Sequence, residues 1–173
     1  VRAPWPWREP GANYDKENRI AWDTMTRFYA DHQARAIGIS NFAVHDMQSL
    51  LDHGDVVPAV NQIQYYIGAT EPENTAFAQA HDILVEAYSP LATGGLLDNA
   101  AVRTIAAHCD ASVVQLALRF VLQNGVLPLP KATSKAHIQA NTALDFTITQ
   151  ADMTTLNAMA DAAPSHGHNQ TQR

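Results

Sequence analysis

Few side chains in this chain are suited to chemistry, so those that are can be weighed one by one. The sequence holds only three lysines, Lys16, Lys131 and Lys135. Lys131 follows the apolar run Val126-Leu-Pro-Leu129 closely, a place where a lone cation needs a reason. A solvated loop lysine is the plain alternative. Ser40 with Asn41, and Gln62 further on, are hydroxyl and carboxamide groups that supply both donors and acceptors. Asn41 could instead cap the helix that follows it. Ala92-Thr-Gly-Gly95 carries the glycines that let a backbone approach phosphate closely. Cys109 is the single cysteine, which excludes an intrachain disulfide and a four-cysteine zinc site. His166 and His168 could form a metal pair, but two ligands in a polar tail make a weak site, and no metal is expected. His32, His45, His53, His81 and His108 are scattered over helices and read as solvent-facing.

Composition narrows the function classes. The 173 residues are 46% hydrophobic and 16% charged, ordinary for a globular chain with one core. A net charge of -6 and a pI near 5.7 argue against nucleic acid or a membrane surface as partner, since both favour a basic face. No apolar run approaches the ~20 residues of a membrane span. The first residues, Val-Arg-Ala-Pro-Trp-Pro-Trp, lack the apolar stretch of a signal peptide, so a reducing cytoplasm is the expected setting. Residues 1–163 read as the folded part and 164–173 as a mobile tail.

The elements that must position these groups alternate along the chain. Residues 1–16 are irregular, and Ala21, Met25, Phe28 and Tyr29 mark a helix over 17–32. Strands are predicted at 35–40, 57–63, 83–88 and 126–129. Helices are predicted around Val44 to Leu51, from a capping pattern at Thr70-Glu-Pro-Glu73, after Asn99, from Ser112 to Asn124-Gly125, over 134–141, and from about Thr149. The strands are apolar rather than alternating, as expected for a parallel sheet covered on both faces. Alternating strand and helix is the α/β pattern. Four such strands make about half of an eight-stranded barrel of ~250 residues. A four-stranded open α/β layer fits the pattern equally.

Four segments separate these alternatives: Arg35-Ala-Ile-Gly-Ile-Ser-Asn-Phe42, Ala59-Val-Asn-Gln-Ile63, Glu86-Ala-Tyr-Ser-Pro-Leu91, and Leu127-Pro-Leu-Pro-Lys131 with His137-Ile-Gln-Ala-Asn141. Together, in this order and spacing, they resemble the strand-end signatures of the aldo-keto reductase family. The resemblance runs from Arg2 to about Met159 and implies a parallel (β/α) TIM-barrel-type fold, of which this chain would be the C-terminal half. It further implies NADPH as cofactor, with NADH possible, and hydride transfer to a small aldehyde or ketone. The carbonyl oxygen gains charge as hydride arrives, so an acid must protonate it; the family uses a tyrosine aided by lysine, aspartate and histidine.

The resemblance assigns roles residue by residue. Ser40, Asn41 and Gln62 would hold the nicotinamide carboxamide. Tyr88 would stack on the nicotinamide ring and is not the acid; Ser89, Pro90 and Leu91 would begin the loop over the pyrophosphate. Lys131 would meet the adenosine 2′-phosphate, with Ser134 and His137 beside it and Asn141 at adenine. His137 stands where the family often has arginine, Ala132 where it has serine and Ala140 where it has glutamate, which weakens the case for NADP over NAD, because neutral imidazole does not grip phosphate as a guanidinium fork does. Arg2 occupies the family's histidine position, and the catalytic aspartate, tyrosine and lysine belong to earlier strands, so no catalytic residue is assigned. Trp5 and Trp7 would line a substrate pocket, or only pack. The expected protein is therefore an aldo-keto reductase cofactor half that self-associates or needs a complementary N-terminal half; the alternatives are a non-catalytic dinucleotide binder and an inactive truncation product.

Overall fold

The computed structural model describes residues 13–160 and 162–163. Helix α1 (Asp15–Ala30) is followed by β1 (Ile39–Ser40), α2 (Val44–Leu51), β2 (Val60–Gln64), α3 (Pro72–Ala80) and β3 (Leu84–Tyr88). Then come α4 (Ala100–His108), α5 (Val113–Gln123), β4 (Leu127–Leu129), α6 (Lys135–Thr142) and α7 (Gln150–Ala158). Strand order is β1-β2-β3-β4, and the β1–β2 and β3–β4 pairs are parallel. This is the parallel α/β pattern that the sequence predicts. The described residues divide into two compact units, one of residues 13–63 and 71–85, the other of 64–70, 86–160 and 162–163. No single helix among the described residues is long and apolar enough to cross a membrane.

In the first unit, Ile39, Met47, Leu50 and Ile63 are fully buried, and Trp22 and Met25 bury the inner face of α1. Gly38 lies so close to Val60 that a side chain there would overlap the valine methyl and sit 2.9 Å from the valine carbonyl oxygen. Only a glycine permits that approach. Beyond it Ile39 pairs with Asn61 and Ser40 with Gln62. The predicted strand at 35–40 is paired over its second half, from the Ile37 carbonyl, which accepts the Ala59 N–H at 2.9 Å, to Ser40.

Helices α1 and α2 are joined by rungs thirty residues apart in sequence. Asp15 bonds His45 at 3.0 Å, Arg19 donates to Ser49 at 2.9 Å, and Asp23 bonds His53 at 2.9 Å. The rungs fall every four residues along α1, and along α2 and the turn just past its end, so they stack about one turn apart. These histidines are thus partnered, which their scattered sequence positions do not reveal.

The amino end of α2 takes its caps from elsewhere. Asp46 accepts from the Ala43 backbone N–H at 2.9 Å, and Asn74 from Val44 at 2.9 Å. Asn74 in turn donates to Glu71. The helix expected from the Thr70–Glu73 pattern is present as α3. Glu71, not Thr70, precedes α3, at φ 41°, and Pro72 opens the helix.

The second unit is built around α5, whose Leu116, Leu118, Phe120 and Val121 are buried. The Ser112–Gln115 capping box forms as predicted, with the Gln115 N–H donating to the Ser112 hydroxyl at 3.2 Å and the Ser112 N–H donating to the Gln115 side-chain Oε1 at 3.0 Å. Thr149 and Ser134 likewise cap α7 and α6. One expectation fails here. Leu127 and Leu129 of β4 remain 40% and 38% exposed, so this strand is not covered on both faces. It is last in the strand order, and no described strand lies beyond it. Nor does α6 bury any residue.

Two stability measurements test this packing. Asn61 is 1% exposed; its amide donates to the Phe42 carbonyl at 2.9 Å and accepts from the Phe42 N–H at 3.4 Å. Asn61→Ala leaves both buried backbone groups unsatisfied and is expected to lower the unfolding free energy by about 2 kcal/mol in urea; a loss under about 0.5 kcal/mol contradicts the role. Tyr65 is buried against Phe120, with ring centroids 6.3 Å apart. Burial raises its phenol well above the ordinary tyrosine value. The neutral form is thus favoured in the fold, and stability is lost as pH rises past about 10, where the unfolded phenol ionises, by up to about 1.4 kcal/mol per unit. Tyr65→Phe should remove that part of the alkaline slope; an unchanged slope shows that the phenol titrates freely.

Candidate functional site

In the first unit Ser40 ends β1, Asn41 follows it, and Gln62 lies midway along β2. Parallel pairing sets Ser40 beside Gln62. The Ser40 hydroxyl donates to the Gln62 carbonyl at 2.9 Å, and the same carbonyl accepts the Asn41 backbone N–H at 2.9 Å. Asn41 adopts φ 60°, a left-handed conformation that asparagine tolerates better than most residues. Its side-chain amide donates to the Ser40 hydroxyl at 2.9 Å. Asn41 does not cap α2, because Ala43 is the residue at that cap and Asp46 and Asn74 bind the first N–H groups. The Ser40 hydroxyl, the Asn41 carboxamide and the Gln62 backbone carbonyl thus form one hydrogen-bonded cluster, beside which the Gln62 side chain adds a further carboxamide on the paired strand.

In the second unit, Tyr88 ends β3 and pairs with Leu129 of β4, two residues before Lys131. Ser89, Ala92 and Thr93 all have φ near 50°, and Gly94 has φ 94°. Non-glycine residues in this region cost roughly 1–2 kcal/mol each. The segment 89–98 is therefore a strained loop, held by a run of one-turn bonds, in which Pro90 is buried and Leu91 half-buried. Lys131, Ser134 and His137 are exposed and Asn141 is half-buried. The Ser134 hydroxyl accepts the His137 N–H at 3.1 Å and keeps a proton to donate. This cluster sets a cation and a hydroxyl around the start of α6, where the helix dipole favours an anion.

Some expectations fall elsewhere. Arg2, Trp5, Trp7, His166 and His168 lie outside the described residues. Sequence reasoning overlooked Asn61, although it stands inside one of the diagnostic segments, and it overlooked Asp46 and Asn74, which brace the turn after Ser40. A buried amide one residue from Gln62 was the available signal. A further cavity of about 270 Å³ is formed by the segments leading into β1 and β2, including Tyr29, Arg35, Asp55 and Val57, and contains none of the candidates. Burial, with the Asp152 charge adding to it, pushes the Cys109 thiol up, which disfavours the reactive thiolate. Among the described residues no group of three or more His, Cys, Asp or Glu could hold a metal ion.

Comparison with known proteins supports the same frame. Residues 13–161 match the aldo/keto reductase family model. The glyoxal reductase of Bacillus subtilis is 36% identical over 151 residues, covering 87% of this chain and 54% of that protein. The NADPH-dependent alpha-keto amide reductase of Saccharomyces cerevisiae is 38% identical over 130 residues, 68% of this chain and 41% of its own. A crystal structure of an aldo-keto reductase complexed with NADPH aligns with TM-score 0.77 and 26% identity, covering 96% of this chain and 51% of that one. The chain thus spans about half the length of the relatives that it matches. Its four parallel strands, their connecting helices and the matched residues show that the chain belongs to the aldo/keto reductase family, with the corresponding part of that family's TIM-barrel-type fold.

Proposed function

We propose that this chain carries the dinucleotide-holding part of an NAD(P)H-dependent carbonyl reductase. The observation that carries the reading is the Ser40–Asn41–Gln62 cluster, held on paired strands by bonds to the Gln62 carbonyl. Its mixed donors and acceptors suit a carboxamide. Tyr88 would pack on the nicotinamide ring, and Ser89, Pro90 and Leu91 would lead the loop along the pyrophosphate. Lys131, Ser134, His137 and Asn141 would receive the adenosine end, with NADPH favoured by Lys131 and NADH admitted because His137 is a weak anion ligand. Bound NAD(P)H would supply hydride to a small aldehyde or ketone.

Protonation of the carbonyl oxygen would need an acid from outside this proposed cradle. Tyr65 is buried, and its phenol is biased towards holding its proton. The acid would come from the part of the barrel that the relatives have and this sequence does not span. The partner in that reading is a complementary N-terminal half, or a second copy, set against the exposed β4 residues Leu127 and Leu129, since an unpaired strand edge invites pairing. A second reading is dinucleotide binding without turnover.

Nucleotide fluorescence titration separates these readings from an inert chain. NADPH should bind the 173-residue chain, and Lys131→Ala should weaken NADPH about tenfold but NADH less than twofold, the loss of one charge-assisted contact. Equal weakening of both nucleotides contradicts the 2′-phosphate role, and no binding of either contradicts the cradle. Steady NADPH oxidation by this chain alone with an aldehyde would overturn the missing-donor argument.

A further inference from the structure

The second unit joins two segments that are far apart in sequence through one side chain. Asn99 caps α4, its Oδ1 accepting the Val102 N–H at 3.1 Å. Its Nδ2 donates to the Ala162 carbonyl at 2.8 Å. Asn99 also ends the strained loop. Turn bonds run from Ala92 to Ser89, Gly94 to Leu91, Gly95 to Ala92, Leu97 to Gly94 and Asn99 to Leu96. Leu96, fully buried, pins this winding near its end.

Ala162 is gripped from its other side. Gly68, at φ 99° in the tight turn closed by Tyr66 and Ala69, leaves no side chain in its path. A methyl on Gly68 would sit 2.6 Å from the Ala162 nitrogen and 2.8 Å from its Cβ. Ala162 and Ala163 are both buried. The segment is therefore seated between a glycine that makes room and an amide that holds its carbonyl.

We infer that Asn99 is a positioning residue that couples the loop 89–98 to the chain at 162–163, so that neither segment moves without the other. Its consequence for the nucleotide rests on the proposed cradle, in which this loop lies along the pyrophosphate. There the bond to Ala162 restrains the trailing end of the loop and slows nucleotide escape. Each side-chain atom of Asn99 has a separate task, and chemistry can divide them. Asn99→Asp keeps an acceptor for the α4 cap but replaces the donor with an oxygen that repels the Ala162 carbonyl.

Hydrogen exchange on the intact chain tests the coupling without nucleotide. In Asn99→Asp, amides at 94–99 and at 162–163 should both exchange about tenfold faster, with helix content by circular dichroism unchanged. Gly68→Ala, which touches only the Ala162 seat, should speed exchange in 94–99 as well. Acceleration confined to the altered neighbourhood in either variant, or none in both, overturns the coupling. Stopped-flow release of NADPH should be about fivefold faster in Asn99→Asp, with an unchanged association rate. Slowed association with unchanged release overturns the restraint. Failure of the unaltered chain to bind NADPH would count against the cradle, while the exchange result still decides the coupling.

Discussion

The close parallel approach of β1 to β2 is the constraint on which the candidate site depends. It starts at Gly38, where only a missing side chain lets the backbone lie against Val60. The approach fixes the register that sets Ser40 beside Gln62. Asn61 then reaches from β2 to hold both backbone groups of Phe42, which closes the turn after Asn41. A slip of one residue would turn every β2 side chain to the other face and separate the cluster. Each bond is modest by itself, but the buried amide is costly to leave unmade, and that asymmetry sharpens the geometry.

Helix starts were the part of the fold most legible in sequence. Asn99, Ser112 and Thr149 announce their helices because a cap is a local bond within three residues. The Thr70–Glu73 pattern marks the right place, but the backbone at Glu71 turns left-handed before Pro72 and the Glu71 carboxylate accepts from Asn74, which no local pattern shows. The α1–α2 rungs and the Asn74 cap join residues about thirty apart, so no local pattern encodes them. β4 was misjudged for a different reason. An apolar triplet shows a strand that could be covered, and the cover itself belongs to whatever packs there. The site residues were legible chiefly through family likeness. Periodicity placed them at strand ends but could not say which polar group serves which part of a ligand.

Binding and chemistry divide along the sequence in this account. Side chains suited to holding a dinucleotide sit at or near strand ends and at the start of α6, where fold geometry offers donors and a favourable dipole. The relatives extend for about as many residues again. A reductase needs both parts because hydride and proton must reach one carbonyl together. On the proposed reading, this chain would hold the nucleotide while the acid comes from another part of the barrel.

The central claim is that Ser40, Asn41 and Gln62 hold the carboxamide end of a nicotinamide dinucleotide. Amide NMR spectra of the labelled chain during titration with NADPH test it most directly. The account predicts that signals of Ser40, Asn41 and Gln62 shift progressively and saturate. Saturable shifts elsewhere with these three signals unmoved, or no shifts at all, would contradict it.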